Sequence, residues 1–400
     1  MPINPIRISQ DIELIAGFNE ENPAVGFSRP TFSKSWRKAR DYIIAQAEAA
    51  GCKTRIDAFG NVHARQKNLD WNARAWLSGS HLDSVPTGGK FDGVVGVVCP
   101  LEVLRSAKDS GQSLPLELII FAEEEGTTFG LGMIGSRLWT GALQASQIEG
   151  FLNKAGQNFI QAGESSGVKP ANFLADFFNP NHYLGLIEIH IEQGPAMWEN
   201  RISLAVVTAI SGRRQYQAEL KGVPNHAGST PMKYRSDALT AAAAIIIDIE
   251  RLTTKLSADT VATVGRIECQ PNAINVIPGS VRFTIDLRSP NPDDLKSGHQ
   301  LIHQMIRESS AKEANLVNTE DQPVVEMDPA IVDQLIRGIG ESAAVTVSGA
   351  LHDAAILAPH LPTAMLFIAS RDGISHNPAE FSRLEDITAA ARVLERTVRT

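Results

Sequence analysis

Five residues with metal-ligand chemistry each fall where an apolar run gives way to a polar or glycine-rich turn. His81 and Asp92 lie in Gly79-Ser-His-Leu-Asp-Ser-Val-Pro-Thr-Gly-Gly-Lys-Phe-Asp-Gly93, and Glu125 in Phe121-Ala-Glu-Glu-Glu-Gly126. His190 follows in Ile187-Glu-Ile-His-Ile-Glu-Gln-Gly194, and His376 in Ser375-His-Asn-Pro-Ala-Glu380. Imidazole and carboxylate without thiolate suit Zn²⁺, Mn²⁺, Co²⁺ or Ni²⁺, and affinity alone does not choose among them. Five ligands exceed an ordinary single zinc site and fit two divalent ions bridged by a carboxylate. Asp92, short and flanked by Gly88, Gly89 and Gly93, is the residue that could reach both. Asp83, two residues beyond His81, is placed to orient a ligand imidazole. Taken singly, any of these side chains is most simply a satisfied or surface polar group. Their shared place at the ends of apolar runs is what favours ligation.

Such a site needs a base that takes a proton from water and delivers it to a leaving group. Glu124 is the candidate, because neighbours leaving a strand point in different directions and paired carboxylates after a buried strand are costly unless used. Glu123 reads as solvated or structural.

The elements that must position these groups have an α/β rhythm from Ile8 to about Ile210. Lys34 to Ala50 reads as an amphipathic helix ended by Gly51, and Arg55 to Arg65 as a hairpin turning near Gly60-Asn61. Ala75 to Ser78, Leu116 to Ala122 and Leu184 to His190 read as buried strands, and Val94 to Ala107 as a helix. The candidate ligands therefore sit at carboxyl ends of strands, where open α/β sheets place their crevices. Between Gly212 and Glu326 the texture changes. Gln215 to Leu220, Val261 to Ile267 and Val281 to Leu287 read as strands, Asp237 to Leu256 and Asp293 to Ser309 as helices, which is an α+β module holding none of the five ligands. From Asp328 the α/β pattern returns, with a helix to about Ile339, a strand at Ala364 to Ile368 and a closing helix from Leu384. The expected organisation is a catalytic domain of residues 1–211 and 328–400, interrupted by an inserted domain of residues 212–327.

Composition narrows the partners. The chain has 400 residues, ample for a large core or two domains, with ordinary 43% hydrophobic and 20% charged content. A net charge of −8 and the lack of a Lys/Arg run argue against nucleic acid or an anionic membrane. Cys52, Cys99 and Cys269 are scattered, so neither a disulfide framework nor a thiolate zinc site is expected. The amino terminus carries no signal-peptide pattern, and Ala241 to Ile247 is too short an apolar run to span a bilayer; the expected compartment is the cytoplasm.

The motifs taken together resemble the hydantoinase/carbamoylase family, dinuclear amidohydrolases related to zinc exopeptidases. Besides the stretches quoted above, the resemblance is carried by Asn225-His-Ala-Gly-Ser-Thr-Pro-Met232, Asn272-Ala-Ile-Asn-Val-Ile-Pro-Gly279, Asp286-Leu-Arg288 and Ser370-Arg-Asp-Gly-Ile-Ser-His376, and it covers nearly the whole chain. It implies a mixed-sheet, zinc-exopeptidase-like catalytic domain with an inserted lid and dimerisation domain. One ion would be held by His81, Asp92 and His190, the other by Asp92, Glu125 and His376, with Glu124 as general acid/base. The inserted domain would supply His226 to the oxyanion, possible in trans across a homodimer, and Asn275 and Arg288 to the substrate carboxylate. Those roles suit an imidazole donor and a planar guanidinium fork. Gln193 would contact the ureido group. His352 and Asp353 form a further histidine–carboxylate pair, in a loop where relatives often carry glycine and this chain has Leu351. His63, His182, His299, His303 and His360 lack sequence neighbours that suggest a role.

The reading is a metal-dependent amidohydrolase that cleaves the carbamoyl C–N bond of N-carbamoyl-L-amino acids to amino acid, CO₂ and ammonia. Allantoate amidohydrolase, β-ureidopropionase and a related dinuclear metallopeptidase are the alternatives within the clan, and a binding protein that has lost catalysis is the alternative outside it. A complete ligand set with Glu124 intact argues against the last.

Overall fold

Start signals in the sequence set the helices of this computed structural model, which describes residues 3–22, 25–169, 176–252, 255–341 and 343–399. Asn4 caps the helix α1 (Pro5–Gly17), Ser33 caps α2 (Lys34–Ala49), and each side chain accepts an otherwise unpaired first-turn N–H. The chain then forms β1 (Cys52–Ile56), β2 (Val62–Gln66), β3 (Ala75–His81), α3 (Val94–Asp109), β4 (Leu116–Phe121), α4 (Ile134–Thr140), α5 (Phe159–Ser165), β5 (Tyr183–Ile191), α6 (Ala196–Glu199) and β6 (Leu204–Ile210). The middle of the chain gives β7 (Gly212–Lys221), α7 (Ala238–Leu252), β8 (Val261–Thr263), β9 (Ile267–Gln270), β10 (Ser280–Ser289), α8 (Pro292–Arg307), β11 (Glu313–Gln322) and β12 (Val325–Glu326). It closes with α9 (Pro329–Ile339), β13 (Ala344–Ser348), α10 (Asp353–Leu357), β14 (Thr363–Ile368) and α11 (Leu384–Thr397).

Two compact units result. One comprises Met1–Thr208, Glu326–Thr346 and Leu351–Thr400, the other Ala209–Val325 with the short return Val347–Ala350. The first is built on a nine-stranded mixed sheet of order β1-β2-β4-β3-β5-β14-β6-β12, with β13 also paired to β6. Its four central strands, β4, β3, β5 and β14, run parallel, flanked by antiparallel β2 on one side and antiparallel β6 on the other. Every residue of β3, β4 and β14 is buried, which explains why these read as continuous apolar runs rather than alternating ones. Parallel register brings His81 opposite Phe121 and His190 opposite Phe367, so the carboxyl ends of the four strands open at one rim. Helix α3, which starts directly after Gly93, is buried from Val94 to Ala107 against that sheet.

The second unit has a five-stranded antiparallel sheet, β11-β7-β10-β8 with β9 on β10, covered by α7 and α8. Alternate residues Tyr216, Ala218 and Leu220 of β7 and Val281, Phe283, Ile285 and Leu287 of β10 point into its core. Ala241, Ala242, Ile245, Ile249 and Leu252 of α7 meet them at helical spacing. The strand expected over Val261 to Ile267 is two strands, broken at Val264-Gly265-Arg266. The helix expected to Leu256 is described to Leu252, and residues 253–254 lie outside the described residues. Strand β11 was not expected from the sequence. No helix among the described residues is long and apolar enough to cross a membrane.

Candidate metal centre

His81 is the last residue of β3, and His190 the last but one of β5. The three glutamates 123–125 follow β4 after Ala122, Asp92 precedes α3, and His376 lies in the loop after β14. These residues converge. His81, Asp92 and His190 form one buried group of potential ligand atoms, and Asp92, Glu125 and His376 form another, each with all its atoms within 4.8 Å of one another. Asp92 belongs to both and divides its oxygens between them. Oδ1 lies 3.6 Å from His81 Nε2 and 3.1 Å from His190 Nε2, while Oδ2 lies 3.2 Å from His376 Nε2. Glu125 Oε2 is 3.6 Å from the same His376 nitrogen. Gly93 makes the approach possible: its φ is +65°, and a Cβ there would stand 2.5 Å from His81 Cε1.

The donor set fits cations on an observation independent of sequence pattern. His81 Nδ1 donates to the Asp83 carbonyl at 2.9 Å and His190 Nδ1 to the Ile191 carbonyl at 3.0 Å, so each neutral ring has a bare Nε2 turned to the centre. That leaves the His190 Nε2 lone pair facing a carboxylate oxygen, and both this nitrogen and Glu125 Oε1 are buried without a hydrogen-bond partner. Buried lone pairs aimed at one another are reconciled only by positive charge, either protons or metal ions. Protons do so here. Burial opposes charge on His81 and His190, but Glu124 and Asp92 lift the first well above its usual range and Asp92 lifts the second. Burial would raise Asp92, yet the three imidazoles hold it well below the ordinary carboxylate range. The hydrogen bond to Asp92 brings His376 up to about 9.

Asp83 acts differently from the simple expectation. Its backbone carbonyl orients His81, while its carboxylate stays 4.0 Å from the ring and takes the Glu125 N–H at 3.0 Å. Glu124 Oε2 lies 3.6 Å from His81 Nε2, and burial followed by the charges of Glu125 and Asp353 raises its pKa well above the usual value against the pull of His81. Glu123 is structural rather than solvated: fully buried, it accepts the N–H groups of Thr128 and Phe129 and fixes the loop that presents its two neighbours. Glu123, Gln193 and His376 all have left-handed backbones, with φ of 59°, 59° and 54°, a concentration of strain at one rim. Gln193 turns its amide to Asp92 Oδ2 at 2.9 Å.

Other residues at the rim carried no role from the sequence. Glu188, a lone charge inside apolar β5, accepts from Ser80 Oγ at 2.8 Å and Ala354 N at 2.9 Å. Asp353 accepts from Ser136 Oγ at 2.5 Å, and the His352 ring meets the His190 ring at 4.6 Å between centroids. His63 does have partners, remote in sequence: it is buried between Asp57 and Glu117 in the sheet. His299 pairs with Tyr216 Oη at 2.9 Å.

The remaining expected residues belong to the second unit. His226 is exposed, and its Nδ1 accepts from Gly228 N at 3.0 Å and Ser229 N at 3.2 Å, which leaves Nε2 as the donor nitrogen. The Asn275 carbonyl accepts the Ala227 N–H at 3.0 Å, tying the two loops together. Arg288 is half-exposed. Its Nε and Nη2 bind Asp286 at 2.8 and 3.2 Å, and its Nη1 donates to the Gly349 carbonyl at 2.8 Å.

Fold and site together define an α/β protein with a cluster of potential metal ligands gathered at the carboxyl ends of its central parallel strands. Residues 77–400 match the profile described as "Peptidase family M20/M25/M40". The chain is 35% identical over 403 residues to an N-carbamoyl-L-amino-acid amidohydrolase of Paenarthrobacter aurescens, covering 98% of this chain and 97% of that one. It is 32% identical to an allantoate amidohydrolase of Escherichia coli K12, over 97% of this chain and 95% of the other. A crystal structure of an amidase of the hydantoinase/carbamoylase family from Burkholderia multivorans superposes with a TM-score of 0.90 at 32% identity, covering 99% of this chain and 97% of that one. The chain belongs to the M20 family and, within it, to the hydantoinase/carbamoylase amidohydrolases, enzymes acting on C–N bonds of linear amides.

Proposed function

We propose that this enzyme hydrolyses the carbamoyl C–N bond of N-carbamoyl-L-amino acids, releasing the amino acid, CO₂ and ammonia. The observation that carries the mechanism is the division of Asp92 between two ligand sets with Glu124 beside them. Under this reading His81, Asp92 and His190 hold one divalent ion and Asp92, Glu125 and His376 a second. Such ions, Zn²⁺ or Mn²⁺, Co²⁺ or Ni²⁺, would polarise the ureido carbonyl and acidify the attacking water. Glu124 takes the proton of that water and returns it to the leaving nitrogen. Burial and the neighbouring carboxylates raise its pKa above the usual carboxylate range, which favours its holding the proton between the two halves of the task. His226 offers its Nε2 proton to the oxyanion, Asn275 and Arg288 take the substrate carboxylate, and Gln193 addresses the ureido group once its amide leaves Asp92. For Arg288 this requires a substrate carboxylate to compete with Asp286 for the guanidinium fork. The inserted unit serves as lid and as the dimerisation surface, and a cytoplasmic homodimer is the expected form; a monomer on sedimentation would remove any role of His226 in trans.

A relative named as an N-carbamoyl-L-amino-acid amidohydrolase at 35% identity, against 32% for one named as an allantoate amidohydrolase, supports this substrate. Ammonia release by metal-free protein reloaded separately with each of the four ions, on N-carbamoyl-L- and D-amino acids, N-carbamoyl-β-alanine, allantoate and a dipeptide, tests it. Metal-dependent release from an N-carbamoyl-L-amino acid is the expected result. Release from allantoate alone would move the substrate and keep the mechanism, and silence on every ureido compound would overturn the reading.

A further inference from the structure

Glu380 is a buried carboxylate that the mechanism above does not use, yet it touches two of the three loops that carry the second ligand set. Its Oε1 accepts the Phe91 N–H at 2.8 Å and the Asp92 N–H at 3.1 Å. Its Oε2 accepts from Ser375 Oγ at 3.1 Å, and that hydroxyl also lies 3.2 Å from Asp92 Oδ2. The backbone of Asp92 and the residue before His376 are therefore tied to one side chain. The tie falls where it is needed: His376 has a left-handed backbone, half of its side chain is in solvent, and its loop also meets the Asp92 loop through Phe381 against Phe91, at 6.1 Å between ring centroids. A strained backbone persists only where its surroundings over-determine it. Gly89 completes the fit, since a Cβ there would stand 2.2 Å from Glu380 Oε1 and force the carboxylate away.

We propose that Glu380 is a positioning residue, a clamp that locks the Asp92 loop to the His376 loop and so sets the spacing at which Asp92, Glu125 and His376 hold an ion. The inference rests on the ligand assignment proposed above. Partners behind a ligand commonly matter nearly as much as the ligand, because they fix the geometry that the free loop would otherwise lose.

The test is titration of metal-free full-length protein with Zn²⁺ in buffers of defined free-ion concentration, with bound zinc counted directly. Glu380→Ala is expected to weaken one binding event by about 10- to 100-fold, the same event that His376→Ala abolishes, and to leave the other in place. Glu380→Gln keeps a carbonyl oxygen for the two N–H groups and is expected to bind like the parent protein. Gly89→Ala leaves the carboxylate present but displaced, and is expected to reproduce the loss. Should Glu380→Ala fail to fold, Ser375→Ala removes the hydroxyl that joins Glu380 Oε2 to the His376 loop and that also meets Asp92 Oδ2, leaves the two backbone N–H bonds of Glu380 in place, and is expected to weaken the same event to a smaller extent. A purely structural role would lower thermal stability in Glu380→Ala and Gly89→Ala with both zinc affinities unchanged, and that result overturns the clamp. So does a Glu380→Gln protein as weak as Glu380→Ala. If Asp92→Ala itself leaves zinc binding intact, the ligand assignment fails, and that outcome is recognised without reference to Glu380.

Discussion

Glu124 and Glu125 are adjacent carboxylates given different tasks by their surroundings. Glu125 faces His376, whereas Glu124 faces His81. Glu124→Gln keeps shape and removes the proton carrier, so kcat should fall by roughly 10²- to 10⁴-fold while bound zinc stays unchanged. Steady-state rates with metal counted in the same sample check this, and undiminished turnover would remove Glu124 from the mechanism. Gly93→Ala probes the other side of the site. The added methyl collides with the His81 ring on a backbone that already sits at φ +65°, so zinc affinity should drop by about 10-fold or more with the ligands all still present. Equilibrium dialysis against buffered zinc reads it, and parent-like affinity would mean that the His81 and Asp92 loops are looser than their close approach implies. The proposed ligands were legible in sequence because they fall near places where apolar runs give way to polar or glycine-rich turns. The role of Asp83 was not, because the atom that orients His81 is a backbone carbonyl, and no residue type announces that.

At the scale of elements, the sheet carries a buried charged layer that includes none of the proposed metal ligands. Glu117 on β4 accepts from His63 Nδ1 at 2.7 Å, from Arg65 Nε at 2.6 Å and from Tyr183 Oη at 3.2 Å, and Asp57 meets the other nitrogen of His63 at 3.2 Å. Burial would depress the His63 pKa, but the hydrogen bonds to Asp57 and Glu117 leave it above 6.5. Burial would likewise raise Glu117, yet His63 and Arg65 leave it below 4.5. The raised histidine stabilises the fold fully below pH 6.5, and the benefit fades as pH climbs through its folded value. The depressed glutamate stabilises fully above pH 4.5 and fades as pH falls through its folded value. Both act in full between these limits. Denaturant unfolding of His63→Gln should show its largest deficit there, of order 3–5 kcal/mol for a broken buried pair, shrinking towards pH 9. A deficit independent of pH would assign the loss to packing against Trp139 instead of charge. The sequence concealed this layer because its members lie 6 and 54 residues from His63. Strand β11 was hidden for the opposite reason. Its sequence Glu-Ala-Asn-Leu-Val-Asn-Thr-Glu-Asp-Gln pairs on one edge only with β7, is mostly exposed, and carries charge suited to blunting a sheet edge rather than the apolar alternation of a core strand. The central parallel strands, buried at every residue but Leu184, were readable to within a few residues.

Across the whole molecule, ligands and inner core are unevenly shared. All five proposed ligands and Glu124 belong to the unit built on the nine-stranded sheet, and they come from four separate stretches of chain between residues 81 and 376. The other unit has its own core, from Tyr216 and Phe283 to Ile302 and Ile306, and none of the ligands. An ion that binds only the folded state stabilises it by mass action, about 2.7 kcal/mol at a free concentration one hundred times Kd. Because the ligands staple distant segments of one unit, removing the metal should loosen that unit first. Hydrogen exchange on chelated and zinc-loaded protein is expected to differ most in β3, β5, the loop from Ala122 to Phe129 and the loop around His376, with α7, α8 and β10 little changed. The apparent melting temperature of the first unit should also rise with free zinc. Equal deprotection of β10 and β5 on chelation would show that the units unfold as one, and the separate core of the second would then confer no independent stability.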